Sequence, residues 1–239
     1  MMFAGLLTVH AQTIEKNTAD SQGITLDRVI AIVNRQIILA SDLEDELQIS
    51  IIDPSRNLKE KETPQQALDR LISRTLIQQQ IRQEDLAATQ PSASEIAGRV
   101  EEIRKELPAC VRVNCETDAG WKAFLAQHEL SPGGVENYVR NRVEILRFIE
   151  ARFRQGIRIT PEEIEAYYRE TLLPQYPAGV AVPPLQQVSA RIEEILLQQR
   201  VNELFSSWLA NLRKQGQIEI LDPSLAKASD EEAEGAIKE

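Results

Sequence analysis

Residues 26–47, LDRVIAIVNRQIILASDLEDEL, decide the fold. Val29 to Val33 and Ile37 to Leu39 are short runs of β-branched and aliphatic residues, the composition of strands. Asn34-Arg35-Gln36 between them is polar and short enough for a hairpin turn. Arg35 stands where a two-residue turn favours glycine, so the turn type is open. Ser41 then offers an N-cap, and Glu44, three residues on, can close a capping box. The stretch therefore reads strand, turn, strand, helix. A two-stranded hairpin is barely stable in water and needs another strand or a helix layer. Residues 217–221, QIEIL, alternate Ile218 and Ile220 with polar neighbours and offer that strand from the far end of the chain. The reading that follows is a mainly α fold, in which a multi-helix domain carries a small sheet built from both ends.

Between these ends the punctuation is helical. Leu43, Leu47 and Ile51 share one face, and Asp53-Pro54-Ser55 stops that helix. Thr63 with Pro64 and Gln66 starts the next, whose stripe is Leu68, Leu71, Ile72 and Leu76. Ser92 and Glu95 form another box before Ile96, Val100, Ile103 and Leu107. A helix near Asp118 carries Trp121, Phe124 and Leu125. Ser131-Pro132 opens a longer one with Val135, Tyr138, Val139, Val143, Leu146 and Ile149. Thr160-Pro161-Glu162-Glu163 is a further capping pattern. Residues 174–184, PQYPAGVAVPP, hold four prolines and cannot be helical. Leu185 to Leu212 is a long amphipathic helix, with Gly216 as its C-cap.

Composition limits the function. The 239 residues are 42% hydrophobic but only 5% aromatic, so the core is aliphatic. A formal net charge of −10 excludes nucleic acid, which requires a basic footprint. No run approaches the length of a membrane-spanning helix. Residues 1–11 read as the remnant of a signal peptide, with Val9-His10-Ala11 similar to a cleavage site; a frayed cytosolic N-terminus is the alternative. Residues 12–23 read as a disordered linker, 24–221 as the folded core and 222–239 as an acidic disordered tail.

The opening stretch resembles the N-terminal segment of the SurA, PpiD and PrsA group of exported folding factors. Its pattern V-A-V-V-N-x-x-x-I-x-x-S-D-L is matched by Ile30, Ile32, Val33, Asn34, Ile38, Ser41, Asp42 and Leu43. Further elements follow in the same order. Thr160, Glu162, Glu163, Ile164, Tyr167 and Tyr168 fit a T-x-E-E-I-x-x-Y-Y segment, and Trp208, Leu209, Ile218 and Ile220 fit the closing helix and strand. The resemblance covers roughly residues 24 to 221. It implies the chaperone core of a periplasmic holdase that takes unfolded exported or outer-membrane proteins without ATP. A structural or adaptor subunit of an envelope assembly complex is the alternative. The chain departs from the group in one respect: 16 residues separate Tyr168 from Leu185, where relatives carry an inserted parvulin isomerase domain of about 100 residues. The isomerase activity is therefore not carried over, and non-enzymatic function is expected.

No catalytic or metal-binding set is expected, and no cofactor. His128 is a lone histidine near a helix end. Adjacent pairs such as Glu101-Glu102 and Glu193-Glu194 diverge on a helix and read as solvated. Trp121, Phe124 and Tyr138 are the candidate peptide-binding residues, with ordinary core packing as the competing reading. Cys110 and Cys115, five apart in a loop of an exported chain, are expected to form a disulfide, with two free thiols as the alternative.

Overall fold

The computed structural model describes residues 27–53, 62–84, 90–110, 113–177 and 179–226. The signal, linker and most of the acidic-tail readings therefore lie outside the described residues. β1 (Val29–Val33) is the middle strand of an antiparallel sheet, with β2 (Gln36–Leu39) on one side and β3 (Ile218–Ile220) on the other. Ala31 pairs with both Ile38 and Ile220, and Val33 with Gln36 and Ile218. The two ends of the chain thus build one sheet, and the rest is mainly α. The helices are α1 (Ala40–Ile49), α2 (Pro64–Glu84), α3 (Ala93–Glu106), α4 (Asp118–Gln127), α5 (Pro132–Phe153), α6 (Pro161–Tyr167) and α7 (Leu185–Gln215).

Asn34 locks the ends together. It holds the turn with φ +56°, a region asparagine tolerates better than most residues. Its N–H donates to the Gln217 carbonyl at 2.6 Å, and its Oδ1 accepts from the Gln217 N–H at 2.8 Å. Its Nδ2 donates to Gln79 Oε1 at 2.6 Å, and Gln79 Nε2 donates to the Val33 carbonyl at 3.2 Å. One side chain therefore joins the hairpin, α2 and the C-terminal strand.

Three apolar clusters hold the helices. The first packs Ile49 and Ile52 with Ile96, Leu107, Trp121, Phe124, Val135 and Val139. The second packs Ile30, Val33 and Ile38 of the sheet on Leu68, Ile72 and Leu76 of α2. The third joins Ile77 and Ile81 to Phe148, with Phe205 and Trp208 against it. Each of α1, α2 and α5 contributes to two clusters, so the clusters cannot separate without breaking a helix.

Local capping follows the sequence in most places. Thr63 and Gln66 exchange reciprocal bonds, Ser92 accepts from Glu95 N–H, Ser131 from Gly134 N–H, and Thr160 with Glu163 forms a complete box. Four details differ. α1 starts two residues early: Leu39 is its N-cap and donates its N–H to Asp42 Oδ2 at 2.8 Å, while Ser41 Oγ is taken by Asp27 Oδ2 at 2.5 Å. Gly216 is extended (φ −73°) rather than left-handed, because the chain runs directly into β3. α6 continues into a π-helical turn, Tyr168–Leu172. Residues 222–226, read from the sequence as the start of the tail, are packed on the fold: Asp222 pairs with Arg28 at 2.6 Å, and Leu225 is buried in the sheet cluster.

α4 ends in a Schellman arrangement with a costly residue in it. Leu130 N–H donates to the Leu125 carbonyl at 2.9 Å, and Glu129 holds φ +55° where glycine is preferred. Glu129→Gly is expected to raise stability by about 1 kcal/mol, the cost of a left-handed non-glycine residue. Urea unfolding checks it; an unchanged or lower midpoint counts against the assignment.

Candidate peptide-binding groove

The helices leave an open groove along α5. Its largest part is a cavity of about 720 Å³ between α3 and α5. Ile52, Ile103, Leu107, Val139 and Val143 give it an apolar floor, and Pro108 closes one end. Leu146, 54% exposed, stands at its lip. The rim is charged and mostly matched internally, Glu106 being the lining acid without an ion pair among the described residues. Glu95 pairs with Arg147, Arg99 with Glu102 at 2.7 Å, and Arg142 with Asp53 at 3.2 Å. An apolar floor under a polar rim is the usual make-up of a site for an apolar side chain.

Tyr138, Arg142 and Leu146 follow one another at one-turn spacing on α5 and also line a second cavity of about 220 Å³ on the other side of that ridge. A third, of about 500 Å³, continues from Tyr138 past α1 to the α4–α5 connection. Burial, reinforced by the nearby Asp53 carboxylate, pushes the Tyr138 hydroxyl up to about 12. It therefore stays a protonated donor at any physiological pH.

The wall behind the second cavity is ionic. Glu46 is buried and accepts from Arg70 Nε at 3.0 Å and from Arg74 Nη1 at 2.7 Å; Arg70 also meets Glu62 at 2.6 Å. Burial pulls the Arg70 guanidinium down, but the Glu46 and Glu62 carboxylates outweigh it and hold it above its usual value. Arg70 and Arg74 lie one turn apart on α2 and present one charged ridge to α1. That spacing was the available sequence signal for this cluster, and the sequence reading missed it.

The end of the first cavity is fixed by Arg104, itself nearly buried. Its Nε donates to the Cys115 carbonyl at 2.7 Å, and its Nη2 donates to the Glu116 carbonyl and to Asp118, both at 3.0 Å. Its guanidinium lies 5.9 Å from the Trp121 ring centroid. The loop it holds contains Cys110 and Cys115, whose Sγ atoms are 2.08 Å apart.

The three candidate residues thus have different fates. Phe124 and Trp121 sit in the first cluster, their rings stacked at 5.5 Å, and support the groove from beneath. Tyr138 lines all three cavities. Ile103, Val143 and Leu146 join it, and all three were legible only as members of helical stripes. His128 packs on Phe124 with ring centroids 4.6 Å apart. Glu101, Glu102 and Glu194 are each about half exposed and pair with arginines. Among the described residues no cluster of His, Cys, Asp and Glu could hold a metal ion, and no helix is long and apolar enough to cross a membrane.

The described residues thus form a mainly α domain with a small end-to-end sheet and an apolar groove along α5. In sequence, the chain is 24% identical over 185 residues to Chaperone SurA of Alkalilimnicola ehrlichii. The match covers 72% of this chain and 41% of that protein, so the chain spans about two fifths of its relative's length. No family model matches the chain.

Proposed function

We propose that this chain is a SurA-like chaperone: a periplasmic holdase that binds unfolded exported or outer-membrane polypeptides without ATP and has no isomerase activity. The observation that carries the reading is the open apolar cavity between α3 and α5, with Leu146 exposed at its lip. Exposed aliphatic surface beside a cavity of this size invites an apolar side chain from a partner. The matched rim charges keep the site soluble without filling it. The similarity to Chaperone SurA supports a chaperone role for that groove. The direct connection from Tyr168 to Leu185, closed by the Tyr168 hydroxyl donating to the Pro183 carbonyl at 2.9 Å, supports the absence of an inserted isomerase domain at that point.

The purified protein is expected to suppress aggregation of an unfolded outer-membrane protein without nucleotide. Leu146→Lys should weaken that suppression several-fold at unchanged melting temperature, since exposed substitutions cost within about 0.5 kcal/mol. Faster isomerisation of a proline-containing peptide would overturn the non-enzymatic reading. No suppression at several-fold molar excess, with tight binding to one folded partner, would replace the holdase with an adaptor.

A further inference from the structure

The groove is electrically lopsided. At the α3 side most of its charges pair with each other, Glu95 with Arg147 and Arg99 with Glu102, and Glu106 is the one lining acid there without an ion pair among the described residues. At the opposite end, where α1 meets the α4–α5 connection, Asp42, Asp45 and Glu129 line the third cavity. All three are exposed, and among the described residues none forms an ion pair. The nearby Arg74 is bound to Glu46 at 2.7 Å and does not neutralise them. The groove is therefore apolar in the middle and acidic at one end. From Gly134 to Glu150, the span of α5 that lines it, a helix rises about 24 Å. An extended chain covers that distance in about seven residues.

Resting on the reading of this groove as a peptide site, we propose that it selects an extended segment of about seven residues with one basic end. A bulky aliphatic or aromatic side chain enters the α3–α5 cavity beside Tyr138 and Leu146. A lysine or arginine at the segment's end meets Asp42, Asp45 and Glu129. The selection is for charge placement within the segment, which a uniform repulsion by the −10 net charge would not give. Rim charges of this kind act on encounter and on salt dependence more than on the buried contact itself.

The test uses fluorescently labelled peptides with a Leu-Phe-Leu centre and a Lys-Lys, Gln-Gln or Glu-Glu pair at one end. Binding is read by anisotropy at low and high salt. The wild-type protein is expected to bind the Lys-Lys peptide about fivefold to tenfold more tightly than the Glu-Glu peptide, the sum of two exposed ion pairs. Salt should shrink the gap. The double variant Asp45→Lys/Glu129→Lys should erase or reverse the order while the Gln-Gln peptide binds as before. Circular dichroism checks that the variant folds; Asp45→Asn/Glu129→Gln, which removes charge without adding bulk, should close the gap part of the way. Equal binding of all three peptides overturns the charge selection and leaves the groove reading standing. If none binds, the groove reading falls with it. A preference for Lys-Lys that survives in both variants places the selectivity elsewhere and also overturns the proposal.

Discussion

Truncation after Arg213 is expected to cost about 4 kcal/mol, from full burial of Leu225 and partial burial of Ile218 and Ile220. That is a large share of the 5–15 kcal/mol that holds an ordinary domain together. The cut spares the ties of α7 to α2, since Arg213 bonds Asp69 at 2.7 Å and Ser73 Oγ at 2.8 Å. It removes β3, leaving β1 paired on one side only, and exposes the face of the sheet cluster that Leu225 covers. A second truncation after Ala226 is the control that keeps all of these contacts. Urea unfolding of the first should move to a lower midpoint and lose steepness; a sharp, unshifted transition would show that β1 and β2 hold without the third strand. Two point variants refine the comparison. Asn34→Ala loses both the tolerance for φ +56° and the side-chain bonds to the Gln217 N–H and Gln79, whereas Asn34→Gly tolerates the backbone angle and loses only those side-chain bonds; both keep the backbone bond to the Gln217 carbonyl. The alanine variant should therefore be the less stable of the two.

The same junction gives the fold an acid limit. Bonds from Ser224 first, then Arg28, hold the Asp222 carboxyl down from 3.8 to about 2. A depressed carboxylate contributes its stabilisation above its unfolded value and loses it as pH falls toward the folded one. Acid unfolding between about pH 4 and pH 2 should thus be blunted in Asp222→Asn, which has nothing left to protonate.

What could be read in the sequence follows the range of each interaction. Thr63, Ser92, Ser131 and Thr160 cap as expected, because each cap is made within three residues of the chain. The strand from 217–221 was legible because a lone hairpin demands a partner and alternation left one candidate. The start of α1 was misread because Asp27, fourteen residues before Ser41, takes the serine hydroxyl that would have capped it. The groove was out of reach for the same reason on a larger scale. Periodicity places Val143 and Leu146 on α5, but only the placement of α3 decides which of them meets a neighbour. Trp121 and Phe124 look like Tyr138 in sequence; α4 turns the first two into the core, and Tyr138 falls where three elements fail to close.

Gly120→Ala is expected to cost about 3 kcal/mol, at the upper end for overpacking a well-filled site. A Cβ at Gly120 would lie 2.2 Å from the carbonyl oxygens of both Val113 and Asn114. These are backbone atoms and cannot rotate away as a side chain would. The loop that carries them is anchored just after them. Thr117 caps α4 through the Gly120 N–H at 3.1 Å, and Arg104 grips the Cys115 and Glu116 carbonyls. The Cys110–Cys115 bond ties the start of the loop to that anchored end. Thiol titration without reductant is expected to find no reactive thiol. The penalty should then depend on redox state: reduction frees the loop to move back from the new methyl group, so the gap between Gly120→Ala and wild type narrows. Two reactive thiols before reduction would remove the bond from the account, and an equal gap in both states would mean that Arg104 alone fixes the loop. The groove reports the same movement. Leu107 and Pro108, just before the loop, close the α3–α5 cavity, so a loop displaced by Gly120→Ala should weaken peptide binding there even under conditions where the variant stays folded.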